Sequence, residues 1–162
     1  MGRENGQDPV SNILAKNKSG WTLLEYLKVD EAEISHYDNV TGSFAIIRVG
    51  DKYLIGYNSW RKQWEFPAGG IEPGETAREA AVRELFEETH QKQTELTFKG
   101  LFKVMDPRGN FKYQAVFTGV LTELQPFEYS DSDEMERIRL WDLKEDIGYV
   151  DECDLKIVET VK

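Results

Sequence analysis

The stretch from Gly69 to Gln91, GGIEPGETAREAAVRELFEETHQ, constrains this chain more than any other. It sets Glu84, Glu87 and Glu88 around a single arginine, Arg83. At about 100° per residue, the three glutamates share an arc of roughly 100° on one helix face. Like charges three or four apart cost about 0.2–0.5 kcal/mol per pair. Four residues onward stand Glu88, Gln91 and Lys92, so only one cation is offered in relief. A hard divalent cation takes carboxylate oxygens readily, and the spacing predicts a metal site. The plainer alternative is a solvated acidic face. Upstream material weighs against it, because Gly69, Gly70 and Gly74 with Pro73 predict a tight loop directly before the helix. Glycine lets a backbone approach an ion or a phosphate closely.

Gly69, five residues, Glu75, seven residues, Arg83-Glu84-Leu85, one residue, Glu87-Glu88 resembles the signature of the Nudix hydrolase family. The likeness extends more loosely from Asn39 to Leu143. It implies a Mg²⁺- or Mn²⁺-dependent enzyme that cleaves a diphosphate linkage in a nucleoside diphosphate joined to another group. It also implies Glu84, Glu87 and Glu88 as metal ligands, with the Gly69 carbonyl as another, and Glu75 with Arg83 as a brace between loop and helix. The pattern departs at its end, where His90 and Gln91 stand in place of a glycine and an apolar residue. A glycine there would form a left-handed C-cap. Histidine reaches that conformation more readily than most residues, at a cost of roughly 1 kcal/mol, so the exit from the helix is where a departure from the family pattern is expected. Gln91 is expected to remove an apolar anchor.

Two competing motifs fail. Gly69 to Thr76 is one residue from a P-loop, but Glu75 replaces the lysine that reaches the phosphates. The acidic run Glu128 to Glu136 lacks the glycine and closing glutamate of an EF-hand loop.

At 162 residues the chain predicts a flexible segment over 1–20 and one domain over 21–162. No run of eighteen apolar residues predicts a membrane span, and the polar start lacks a signal-peptide core. A single cysteine, Cys153, agrees with a reducing compartment, and the cytoplasm is the expectation. The net charge of −10 argues against a nucleic-acid polymer as partner. A small phosphorylated substrate is still compatible, since metal ions can neutralise a local site.

Strands are predicted within Trp21–Val40, at Ser43–Val49 and at Lys52–Tyr57, the last two joined by a turn at Gly50-Asp51. A short extended piece follows at Trp64–Phe66, ended by Pro67. The helix should start at the N-cap Thr76, with Glu79 closing a capping box. Further strands are expected at Leu96–Met105 and Tyr113–Thr122, around the turn Asp106–Asn110. Another at Arg137–Trp141 leads into a short helix, and a C-terminal helix covers Asp151–Val161. This mixture suggests an α/β fold; the family resemblance implies an α/β/α sandwich with a mixed β-sheet.

Diphosphate cleavage needs neutralised phosphate oxygens, a positioned water and a base. Glu84 or Glu87 is the base candidate within the motif. In the family the base can come from a later acidic loop, here the one holding Asp131, Asp133 and Glu134, of which Glu134 is favoured. Arg61, Trp64 and Tyr113 are the candidates for substrate contacts, with core packing or solvent exposure as the alternative for each. Cys153 is expected to be buried far from the motif. Pro107 matches a proline found in family members that act on ADP-ribose, although turn geometry explains it equally well. The expected substrate is therefore a small nucleotide, ADP-ribose or another nucleotide sugar. The alternatives are a nucleoside triphosphate pyrophosphohydrolase and an inactive nucleotide-binding module. The family resemblance adds a homodimer.

Overall fold

The computed structural model describes residues 13–130 and 134–162. Residues 1–12 of the expected lead-in, and Asp131 and Asp133, lie outside the described residues. Chain order is β1 (Ala15–Lys16), β2 (Thr22–Leu27), a 3₁₀ turn (Glu31–His36), β3 (Val40–Val49), β4 (Lys52–Asn58), β5 (Gln63–Glu65), β6 (Ala68–Gly70) and α1 (Ala77–Thr89). Then come β7 (Thr97–Met105), β8 (Phe111–Val120), β9 (Met135–Trp141) and α2 (Glu152–Val161).

The strands form one mixed sheet in the order β9-β4-β3-β8-β7-β2-β1, with β5 on β4 and β6 on β3. The central pair β3–β8 is parallel, while β3–β4 and β7–β8 are antiparallel. Side chains alternate across the pleat. From β3, Ala45 and Ile47 join Leu54, Ala81, Leu85 and Phe117 under α1, while Ile46 joins Phe66, Phe102, Ile157 and Val158 under α2. The α/β/α sandwich is the observed architecture.

One irregularity positions the site. Strand β4 pairs with β3 only at Arg48 and Val49 and then separates from it. Strand β6 fills the opening, with Ala68, Gly69 and Gly70 opposite Phe44, Ser43 and Gly42. Gly69 and Gly70, expected in a loop, are therefore strand residues.

Helix α1 matches its sequence cues. Thr76 Oγ1 accepts the Glu79 N–H at 3.0 Å, and Glu79 Oε1 accepts the Thr76 N–H at 2.9 Å. At the other end His90 sits at φ 61°, ψ 19°, and forms a left-handed cap without the glycine of the family pattern. Its ring lies 4.7 Å from that of Phe127.

Three expectations need correction. Residues 13–20 are not a free lead-in: β1 pairs with β2, and Asn17 Nδ2 donates to Asp151 Oδ2 at 3.0 Å. No helix lies between β9 and α2; there Asp142 Oδ1 accepts the N–H groups of Lys144 and Glu145, which holds a turn instead. Gln91 does not loosen its segment. It is fully buried, donates from Nε2 to the carbonyls of Thr89 and Gln125, and accepts the Gln125 N–H. No helix among the described residues is long and apolar enough to cross a membrane.

Candidate active site

Strand β6 and the last two turns of α1 build the acidic ridge together. The Ala68 N–H donates to Glu88 Oε1 at 3.1 Å. Gly69 lies directly against Glu84: a Cβ there would come closer than 3.0 Å to all three atoms of the carboxylate. Only glycine allows this approach.

Arg83 organises the rest. Its guanidinium grips Glu75 through Nε at 2.7 Å and Nη2 at 2.9 Å, and donates to the Gly70 carbonyl at 2.8 Å. The same group reaches Glu84 at 2.6 Å and Glu87 at 3.2 Å. The expected brace between Glu75 and Arg83 is present, and it holds Glu75 down to a pKa of about 2. The expectation that little relieves the ridge is corrected, because Arg83 itself partners two of the three glutamates.

The remaining repulsion falls on the buried pair. Burial, together with the neighbouring Glu84 carboxylate, pushes Glu88 well above the usual carboxylate range. Burial also raises Glu84, whose side chain is 13% exposed, against the opposing pull of Arg83. Glu87 is 57% exposed and turns outward to Arg83. Among the described residues, no three acidic, histidine or cysteine side chains converge as ion ligands. Two of the three expected ligands, Glu84 and Glu88, meet at strand β6, Glu84 against Gly69 and Glu88 on the Ala68 N–H, and of these two Arg83 pairs with Glu84. That donor set of hard oxygens fits a divalent cation.

Glu134 stands close to this ridge. Its carboxylate meets Arg61 at 3.0 Å, and its charge adds to the upward push on Glu88. Arg61 also forms a fork on Glu65, with Nε–Oε2 at 2.7 Å and Nη2–Oε1 at 3.0 Å.

On the α2 side of the sheet lies a cavity of about 570 Å³. Trp21, Phe44 and Phe66 form apolar walls, Lys112 and Gln114 project from β8, and Gly69 and Gly70 border it from β6. Of the three candidates for substrate contacts, Arg61 borders the cavity. Trp64 and Tyr113 do not. Trp64 is 5% exposed and donates its indole N–H to the Ile147 carbonyl at 2.7 Å. Tyr113 points to the α1 face of β8, edge-on to Tyr37 at 5.2 Å. The β-strand alternation puts its neighbours Lys112 and Gln114 in the cavity instead.

Sequence reasoning missed the floor of this cavity. Gln63, Glu65, Asp151 and Asp154 all line it, and Cys153, expected far from the motif, does too. Burial raises the Cys153 thiol to about 12 and pushes Asp154 well above its usual range. A carboxyl three residues beyond a helix N-cap was the visible signal, but it reads equally as ordinary first-turn acidity.

An α/β/α sandwich with a glutamate-bearing helix stitched to a glycine strand defines the class of protein. The chain belongs to the NUDIX domain family, which matches it over residues 41–159. YtkD of Bacillus subtilis (strain 168), named for 8-oxo-dGTP diphosphatase activity, is 42% identical over 62 residues, 38% of this chain and 39% of YtkD. The human diphosphoinositol polyphosphate phosphohydrolase NUDT4B is 34% identical over 100 residues, 62% of this chain and 54% of that protein. The match thus spans about half the length of these relatives or less. Among solved structures, the Bacillus subtilis pyrophosphohydrolase BsRppH (E68A mutant) shares the fold with a TM-score of 0.67 and 21% identity. That likeness covers 91% of this chain and 98% of the other.

Proposed function

We propose that this protein is a divalent-metal-dependent pyrophosphohydrolase acting on a small nucleotide with a diphosphate linkage. One observation carries the reading: the half-buried Glu84 lies against Gly69 and Glu88 on the Ala68 N–H, on the strand that also borders the 570 Å³ cavity. Pockets of about 300–1,000 Å³ suit ligands of nucleotide size. A cation held by Glu84, Glu88 and the Gly69 carbonyl would neutralise phosphate oxygens and lower the pKa of bound water.

The chain's own residues supply the remainder. Arg83 fixes the β6–α1 junction by tying Glu75, Gly70 and Glu84 together. Lys112 and Gln114 extend into the cavity as contacts for the substrate's polar groups. Two carboxylates are placed to take a proton from water, Glu87 at 57% exposure and Glu134 at 30%. Pro107 is the proline that the nucleotide-sugar reading turns on. It sits in a turn held by Asp106 Oδ1, which accepts the N–H groups of Arg108 and Asn110.

The test is hydrolysis of ADP-ribose and of nucleoside triphosphates with Mg²⁺ or Mn²⁺. Wild type should turn over at least one of them only with metal, and Glu88→Gln and Glu84→Gln should each lose at least about 100-fold in kcat/KM while remaining folded. Metal-independent turnover, or full activity in both variants, would overturn the reading. The pH–rate profiles of Glu87→Gln and Glu134→Gln then identify the base as the variant whose acidic limb disappears.

A further inference from the structure

The turn from β4 to β5 is organised by Asn58, which is fully buried. Its Oδ1 accepts the N–H groups of Trp60 and Arg61, each at 2.9 Å, and its carbonyl accepts the Lys62 N–H at 2.7 Å. Its Nδ2 donates to Glu65 Oε1 at 3.1 Å, which ties the turn to β5. An asparagine that satisfies the backbone of its own turn fixes the residues it carries. The chain entering β9 is attached to this turn. Ser59 donates both its N–H, at 3.1 Å, and its hydroxyl, at 3.2 Å, to the Glu134 carbonyl.

Those bonds hold the backbone of Glu134 but leave its side chain free to turn. Arg61 meets the carboxylate. Its Nη2 lies 3.0 Å from Glu134 Oε1 and 3.0 Å from Glu65 Oε1, while Nε holds Glu65 Oε2 at 2.7 Å. Glu65 is buried and also accepts from Asn58 and Gln63, so the near end of the fork is anchored. Electrostatically, Arg61 faces Glu65, Glu134 and Glu88 together. Glu134 lies in the acidic run from Glu128 to Glu136, and its charge acts on Glu88 at the ridge. Like charges so placed repel one another. The cation between them is what allows the Glu134 carboxylate to stay close.

We propose that Arg61 is a positioning residue: anchored on Glu65, its guanidinium holds the Glu134 carboxylate at the acidic ridge for the reaction. The planar fork of an arginine serves two carboxylates at once in fixed geometry, which the single ammonium of a lysine cannot do. As a contribution to stability the Arg61–Glu134 pair is minor, since both side chains are partly exposed. Its contribution is geometric, because a reacting group moved by about an ångström loses on the order of 100-fold in rate. Glu134 acts on the water, and Arg61 acts through Glu134. Arg61 also borders the cavity, so a direct contact with the substrate is the competing role.

This inference rests on the proposed function, with Glu134 as the group that takes the proton. Its test is a double-mutant cycle in kcat and KM, with ADP-ribose or whichever nucleoside triphosphate wild type hydrolyses. Arg61→Ala should lower kcat about 10- to 100-fold and leave KM within about 2-fold. In the Glu134→Gln background the same change should alter kcat less than about 2-fold, because no carboxylate is left to misplace. Arg61→Lys keeps the charge without the fork, and its kcat should lie nearer to Arg61→Ala than to wild type. A raised KM at unchanged kcat would make Arg61 a substrate contact and overturn the proposal. An equal loss of kcat with and without the Glu134 carboxylate would overturn it as well. Should Arg61→Ala not fold, Arg61→Lys carries the same cycle. Full activity in Glu134→Gln, with metal-dependent turnover still lost in Glu88→Gln, would sink this role of Arg61 and leave the proposed function standing. A wild type without metal-dependent turnover would overturn both.

Discussion

Gln91 and Gln125 clasp one another: the Gln125 N–H donates to Gln91 Oε1 at 2.7 Å, and Gln91 Nε2 returns a bond to the Gln125 carbonyl at 2.9 Å. This pair ties the end of α1 to the segment after β8. Replacing the amide with an apolar side chain leaves both backbone groups of Gln125 without partners. Gln91→Leu is therefore expected to destabilise the protein by about 1–3 kcal/mol, read as a lower urea midpoint at unchanged m-value. A neutral outcome would mean that water replaces the clasp.

Gly69 and its neighbour Gly70 give a paired test of the site. A Cβ on Gly69 runs into the Glu84 carboxylate, whereas one on Gly70 meets only the Thr41 carbonyl, at 3.8 Å. Gly69→Ala should displace Glu84 and lower kcat/KM about 100-fold, the usual effect of an ångström of misplacement. Gly70→Ala should retain most activity. Equal losses in both would show that β6 matters for backbone flexibility and not for its contact with Glu84.

What the sequence disclosed follows from the range of the interactions. The capping box at Thr76 and the turn at Gly50-Asp51 are settled within a few residues, and each was readable. The brace between Glu75 and Arg83 spans eight positions and was readable through the family resemblance. Strand β6 was hidden because its three residues are extended by pairing with β3, about 26 residues earlier in the chain. Trp64 and Tyr113 lie away from the cavity for a related reason. An aromatic residue shows its burial in the sequence but not which face of the sheet it occupies, and that is fixed by register. The acceptor floor joins Gln63 to Asp151 across 88 positions, and no local pattern carries that information.

The Glu75–Arg83 brace predicts an acid limb. Arg83 lowers the Glu75 pKa from 4.5 to about 2, so the native state binds fewer protons than the unfolded chain within that window. Its stabilisation is complete above pH 4.5 and is lost as pH falls through about 2. Glu75→Gln should be less stable than wild type at neutral pH, with the gap narrowing steadily below pH 4.5. Denaturant titrations at several acidic pH values measure it, and a gap independent of pH would contradict the assigned pairing.

Asp154 predicts the opposite slope. Burial holds its folded pKa well above the ordinary 3.8, so over that window the native state binds more protons than the unfolded chain. Stability from this group is full below pH 3.8 and declines as pH rises through the folded value. Asparagine keeps an oxygen for the Phe66 N–H and carries no charge to bury. Asp154→Asn should therefore equal or exceed wild type in stability at pH 8, with its advantage shrinking toward pH 4. Urea midpoints across that range give the difference curve. A variant that is less stable than wild type at every pH would show that Asp154 is held by packing instead.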